Sequence, residues 1–434
     1  MYQKFFKYLS LNVLGMLGMS GYILADTFFV SQRLGANGLA SLNIAISIFG
    51  LMNGIGMMLG VGGATRYSIC KAKKDDQKAN KTFVLSVGTG LIIGIAFVLV
   101  GIFFSRNLAM MLGANQEILD MCHSYLQTVM MFAPFFILNH TMIAFVRHDG
   151  SPQLAMAAML LGSLSNIVLD YVFMYPLEMG IFGAALATGI APVIGLCISS
   201  IHSLLKKNQF HFVRASFSFS DIFDIMGLGN VAFINEFASG VVLVVFNLLI
   251  LKYLENTGVA AYGIVANLGL VSLAIFTGIS QGVQPLMSHA YGMEHHKEVK
   301  WVYHRAVIVC AVVGMALLAV AYIWCDPLVT LFNSEHDMLL QSIAKEGLVI
   351  YFIGFLFVGY NLMSASLLSA IEMPRYSFMI SIFRGLIGIV GIVFILSSLL
   401  EVTGIWLTFP TVELICAIMS YILVYRANKK RQYH

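Results

Sequence analysis

The chain has 434 residues, 59% of them hydrophobic and 11% charged, with a formal net charge of +4. A soluble domain carries about a quarter charged residues, so this composition, with a mean hydropathy of +0.86, excludes a water-soluble globule. The small net charge gives no reason to expect a nucleic-acid partner.

The first apolar stretch follows Lys4 and Lys7 and continues to about Val30 with no small-residue cleavage site, so it reads as a retained first span rather than a signal peptide. Apolar runs then recur to the end of the chain. Twelve spans are expected near 9–31, 38–61, 82–104, 118–145, 153–174, 180–204, 225–251, 258–284, 302–324, 340–370, 376–399 and 403–425. Each is close to or above the ~20 residues that cross a bilayer as a helix. The longest polar segments between them are 66–81, 205–224 and 286–301. The fold class expected is an all-α integral membrane protein.

Basic residues orient the spans. With the N-terminus in the cytoplasm, 20 of the 25 Lys and Arg residues fall on the cytoplasmic side, and only Arg33, Arg106, Lys252 and Lys345 on the other, while Arg384 lies within a span. Both termini are therefore expected inside. The chain also repeats. The run from Leu34 to Ser41 (LGANGLAS) resembles that from Leu254 to Ala261 (LENTGVAA), 220 residues on; Asn139 and Pro152 match Asn361 and Pro374, 222 on; Gly180 matches Gly404, 224 on. Two six-span repeats in the same order imply a pseudo-twofold axis along the membrane normal. The expected division is an N-terminal lobe at 1–205, a cytoplasmic linker at 206–224 and a C-terminal lobe at 225–434. Two bundles facing each other enclose a cavity, and rocking between them gives alternating access.

Charge inside a span costs roughly 2.5–3.5 kcal/mol, so the acids placed there need reasons. They are Asp26, Asp170, Glu236 and Glu413. Asn166 precedes Asp170 by one helical turn and shares its face. With Asp26 these groups make an oxygen-rich site for a hard cation or a proton, because two close carboxylates cannot both ionise cheaply. Glu236, near mid-depth, is a candidate cation or substrate acid in the second half, with Asn247, Gln281 and Gln284 as candidate polar companions. Arg384 and Glu413 reach similar depths on consecutive spans and are expected to pair. The six cysteines are scattered and read as small hydrophobic fillers. His289, His295, His296 and His304 read as a solvated loop. Glycine strings such as Gly60, Gly62 and Gly63 lie within apolar helices and match no phosphate-binding loop; they read as close helix packing. With no ATPase signature, no cofactor and no nucleophile–base constellation in view, the chain is read as a transporter and not an enzyme.

Several motifs carry a resemblance. The run from Ala25 to Ser31 (ADTFFVS) followed by LGANGLA is similar to the first-span signature of the multidrug and toxic compound extrusion (MATE) transporters. Gln281 to Pro285 (QGVQP) with Tyr291 and Gly292 resembles the matching segment of the second half, and NIVLD at Asn166 to Asp170 followed by GAALAT at Gly183 to Thr188 resembles the fifth and sixth spans. The likeness covers essentially the whole chain. It implies two six-helix lobes in a V and efflux of organic cations in exchange for Na⁺ or H⁺. It carries Asp26, Asn166, Asp170 and Thr188 onto the coupling-ion cluster, and Glu236 onto a seventh-span acid used by some members. The seventh span departs from the family's Gly-x-Pro opening, reading Gly227-Leu228-Gly229. The implied setting is a bacterial inner membrane, with lipids and small organic cations as partners and a monomeric state. A lipid-linked oligosaccharide flippase is the alternative within the same superfamily, and a carrier for one metabolite another; a flippase would be expected to line its cavity with several arginines.

Overall fold

The computed structural model describes residues 1–333 and 337–432; the side chains of Lys430 and Arg431 in the basic tail lie outside the description. The described chain is helical throughout its spans. The helices are α1 (Tyr2–Gly35), α2 (Asn37–Ala72), α3 (Asp76–Met111), α4 (Leu119–Met131 with Ala133–His148), α5 (Pro152–Met174), α6 (Gly180–Leu204), α7 (Phe219–Glu255), α8 (Thr257–Gly292), α9 (His296–Ile323), α10 (Met338–Phe352 with Phe355–Ala370), and the long helix Pro374–Lys429. That last helix has 56 residues and is broken at Glu401, whose φ is 50°. It therefore makes two crossings, α11 (374–400) and α12 (402–429). Among the described residues the count is twelve, as the apolar runs predict.

The helices outrun the hydrocarbon span. Segments 66–72 and 286–292, read from sequence as loop, are the last turns of α2 and α8, so the connections to α3 and α9 shrink to residues 73–75 and 293–295. Their polar residues sit where a helix leaves the hydrocarbon, and hydropathy cannot tell that position from a loop. Likewise, 219–224 is the first turn and a half of α7, capped by the Ser218 side chain, which accepts from the Asp221 amide.

The repeat is visible in the backbone. Left-handed residues recur in pairs: Gly35 with Glu255, Lys74 with Glu294, Gly150 with Glu372, and Glu178 with Glu401. Such φ values suit glycine and are unusual for glutamate, yet both halves turn at the same places. The bends repeat too, at 48° in α4 and 43° in α10.

The halves meet along two equivalent seams, α2 against α7 and α1 against α8. Gly62 and Gly229 allow backbone contact at the first, where a Cβ on Gly229 would run into the Met58 carbonyl. At the second, a Cβ on Gly278 would lie 2.7 Å from Val13 Cα. The glycines flagged in the sequence thus serve close packing. Gly229, standing near the family's usual proline, gives close approach within an unbroken helix rather than a kink.

Between the halves, residues 205–218 are non-helical and held by the first half. Phe210 is buried among Tyr67, Phe83 and Phe145. Asp149 accepts from Tyr67 Oη at 2.6 Å and from the Gln209 amide at 2.8 Å, and lies 2.8 Å from His202 Nε2.

Candidate ion and substrate site

Helices α1, α5 and α6 bring the four first-half residues together. Asn166 and Asp170 are fully buried on one face of α5, Thr188 is 3% exposed on α6, and Asp26 is 7% exposed on α1. Asn166 Nδ2 donates to Thr188 Oγ1 at 3.5 Å. Asp26 and Asp170 are within electrostatic range of each other, and the phenols of Tyr22 and Tyr125 lie within range of both. The tyrosines were not anticipated; in an aromatic-rich sequence nothing distinguishes them from packing residues.

Burial of oxygen without a partner is the notable feature. Asp26 Oδ1, Asn166 Oδ1 and both Asp170 carboxylate oxygens are buried with no hydrogen-bond partner among the described residues. Orphaned buried oxygens cost several kcal/mol unless something is added to them. Two carboxylates, an amide oxygen and a hydroxyl make a donor set suited to a hard cation such as Na⁺, or to a proton. Among the described residues no group of three or more His, Cys, Asp or Glu side chains could hold a metal.

The second-half candidates do not form one cluster. Glu236 is half-buried on α7, opposite Gly54 of α2, where an added Cβ would lie 3.5 Å from its own Cβ. Asn247 lies eleven residues further along α7, about 16 Å by helical rise. Gln281 and Gln284 line a cavity of about 30 Å³ with Asn235, Thr277, Ser280, Ser366 and Ser369. Both amides are engaged across the seam: Gln281 Oε1 accepts from Arg147 Nη1 at 3.2 Å, and Gln284 Nε2 donates to Thr65 Oγ1 at 3.1 Å. These glutamines join the halves across the seam. From sequence they share only a helix with the cavity, and which neighbour they meet depends on how the halves dock.

Arg147 was missed. It sits just past the expected end of the fourth span and reads as loop charge, whereas it is 3% exposed and donates to Asn12 Oδ1 as well as to Gln281. Further cross-half contacts lie on this same side, where both chain ends are: Arg66 with Glu372 and Asp224, Lys81 with Asp221, and Asn12 Nδ2 with the Gly278 carbonyl at 2.8 Å. A pocket of about 270 Å³ lined by Arg66, Asp75, Lys78, Lys81 and Asp221 opens beside them.

Arg384 and Glu413 do pair. Arg384 Nε lies 2.6 Å from Glu413 Oε1, at ion-pair distance though not aligned for a hydrogen bond. Asn361 Nδ2 donates to Glu413 Oε2 at 2.7 Å, and Arg384 Nη1 donates to Asn235 Oδ1 at 3.3 Å.

Comparison with known proteins agrees with this architecture. The model of the MatE family matches residues 13–172 and again 232–394, once in each half. The multidrug export protein MepA of Staphylococcus saprophyticus is 26% identical over 413 residues, covering 93% of this chain and 89% of its own. A solved multidrug resistance MATE family transporter of the MOP superfamily, in an outward-facing conformation, superposes with a TM-score of 0.92 at 21% identity, covering 99% of this chain and 96% of that one. A MOP superfamily transporter from Pyrococcus furiosus, described as having a binding pocket of reversed polarity that suggests a different function, superposes at 0.88 with 22% identity, covering 96% and 94%.

Proposed function

The chain belongs to the MatE family, and on that premise we propose that it exports cationic amphipathic compounds by alternating access, in exchange for Na⁺ or H⁺. The relatives it matches are multidrug export proteins. The observation that carries the coupling part is the set of four orphaned oxygens on Asp26, Asn166 and Asp170 beside Thr188. An exchangeable cation or proton offsets one of the two negative charges that Asp26 and Asp170 would carry together; a substrate cation bound elsewhere in the cleft competes with that charge, so the two occupy the protein in turn.

Glu236 supplies the substrate-side charge. It is half-buried rather than sealed, and Tyr22 lies within electrostatic range of it and of the Asp26–Asp170 cluster. We divide the chain into two lobes with a linker between them, as the sequence does at 1–205 and 225–434, with the second lobe taken from Phe219, where α7 begins. We place both termini in the cytoplasm of a bacterial cell, the protein in its inner membrane, and the working unit as a monomer.

The test is transport of a fluorescent organic cation by proteoliposomes under separately imposed Na⁺ and pH gradients. One gradient is expected to drive accumulation against the substrate's own gradient, and Asp26→Asn or Asp170→Asn to abolish that drive. Unchanged energised transport in both variants would remove the coupling reading. Glu236→Gln is expected to raise the KM for cations and to leave the ion dependence in place.

A further inference from the structure

Both halves gather buried polar side chains on equivalent helices. In the first half, α1, α5 and α6 supply Asp26, Asn166, Asp170 and Thr188. In the second, α7, α11 and α12 supply Asn235, Arg384 and Glu413, with Asn361 added from α10. The repeat register places Gly162 opposite Arg384 and Gly189 opposite Glu413, so the charged pair has no copy in the first half. What differs is how the carboxylates are satisfied. In the first-half cluster, Asp26 Oδ1 and both Asp170 carboxylate oxygens, with the Asn166 amide oxygen, have no hydrogen-bond partner among the described residues. In the second, Glu413, fully buried, has Arg384 at 2.6 Å on one oxygen and Asn361 at 2.7 Å on the other.

Arg384 also sits in a π-helical turn at Phe383–Ile387 inside an otherwise α-helical span. Turns of this kind gather at functional sites, and this one carries the guanidinium that meets α7 and α12 together. Stability alone does not account for such a pair, because apolar replacements of a buried ion pair are often as stable.

We propose that Arg384 is a tethered counter-cation: its guanidinium serves Glu413 as an exchangeable cation or proton serves Asp26 and Asp170, so that the coupling ion is exchanged in the first half alone. The inference rests on the coupling reading given above. A buried carboxylate needs a positive partner. A partner that dissociates links the site to an ion gradient; one covalently held on α11 cannot leave, and the second half then takes part in binding and rocking without exchanging an ion. Among the described residues, the other titratable groups facing the pair are Tyr351 of α10 and Cys416 of α12, and neither side-chain type normally changes charge below pH 7.

The experiment compares wild type, Arg384→Gln, and the paired variant Arg384→Met with Glu413→Leu. Thermal unfolding of the purified proteins is measured against pH at fixed Na⁺ and against Na⁺ at fixed pH, alongside energised uptake of a fluorescent cation. Wild type and the paired variant are expected to share one ion dependence. Arg384→Gln leaves Glu413 without its cation and is expected to gain a second dependence, its melting temperature rising with added cation or falling pH beyond the wild-type response. A wild-type response in Arg384→Gln overturns the proposal, as does loss of ion-dependent uptake in a folded paired variant. Should Arg384→Gln fail to fold under every condition, the uptake of the paired variant decides. Failure of the coupling reading is seen separately, as unchanged energised uptake in Asp26→Asn and Asp170→Asn, while the melting curves still report whether Glu413 has lost a cation.

Discussion

Lys81 Nζ lies 2.7 Å from Asp221 Oδ2, tying α3 of the first half to the first turn of α7 in the second. Both side chains are about one third exposed, and such pairs are worth about 0–1 kcal/mol. The bond trims the balance between open and closed seams without deciding it. Lys81→Ala or Asp221→Ala is therefore expected to raise the open population by no more than about fivefold. The measurement is labelling of Ser280→Cys, in a background without native cysteines, by a membrane-impermeant thiol reagent applied to the face that carries the chain ends. A change of a hundredfold would mean that this pair, and not the packed seam, holds the halves together.

The seam itself is set by backbone contact. Gly229 faces the Met58 carbonyl with no room for a Cβ. Gly229→Ala is expected to force α2 and α7 apart; overpacking of this kind costs about 1–3 kcal/mol, charged to the closed seam alone. Labelling at position 280 should rise by about fivefold or more, energised export should fall, and the overall melting temperature should move little. Normal export by this variant would show that the seam tolerates a wider spacing.

How much of this was legible in the sequence depends on what each feature rests on. The twelve crossings follow from apolar length, and the Arg384–Glu413 pair from counting depth along consecutive spans, because a buried charge has few ways to be satisfied. The turns at Glu255 and Glu401 were hidden: left-handed backbone is expected at glycine, and only the repeat, which sets Glu255 against Gly35, points to the first. The cross-half contacts of Gln281 and Gln284 were hidden, and Asn12 and Arg147 overlooked, for one reason. Each has a partner in the other half, and docking of halves leaves no trace in the periodicity of either.

The first-half cluster should separate charge from geometry. Asp170 contributes two orphaned oxygens and a charge, whereas Asn166 contributes one neutral oxygen. On the coupling reading proposed above, Asn166→Ala removes an oxygen worth about 0.5–1.5 kcal/mol to a bound ion, and is expected to weaken the ion dependence of uptake by about twofold to tenfold with coupling retained. Asp170→Asn keeps the shape and removes the charge, so coupling itself should be lost. Direct titration of uptake against the driving ion distinguishes a shifted midpoint from an absent one. Equal effects from the two substitutions would mean that the cluster is a packing feature.

Arg147 makes a test with two signs. Its guanidinium is buried between the halves, its described acceptors are the amide oxygens of Asn12 and Gln281, and its Nε has no partner among the described residues. Closing the seam thus removes a cation from water and returns one hydrogen bond from the other half, to Gln281, beside the one that Asn12 supplies within the first half. Hydrogen bonds to a charged group contribute about 1.5–3 kcal/mol each, and burying the charge without them costs more than that. Gln281→Ala removes the acceptor that comes from the other half, and Asn12→Ala also removes the cross-seam bond to the Gly278 carbonyl, so both penalise the closed seam, and labelling at position 280 should increase by about tenfold or more. Removing the charge, as in Arg147→Met, relieves the closed seam of its desolvation cost, and labelling should fall below the wild-type rate. Export should decline in both directions, because alternating access needs the seam to close and to reopen. If Arg147→Met raised labelling as the acceptor variants do, Arg147 would be a fastener of the closed state rather than a charge held there at a cost.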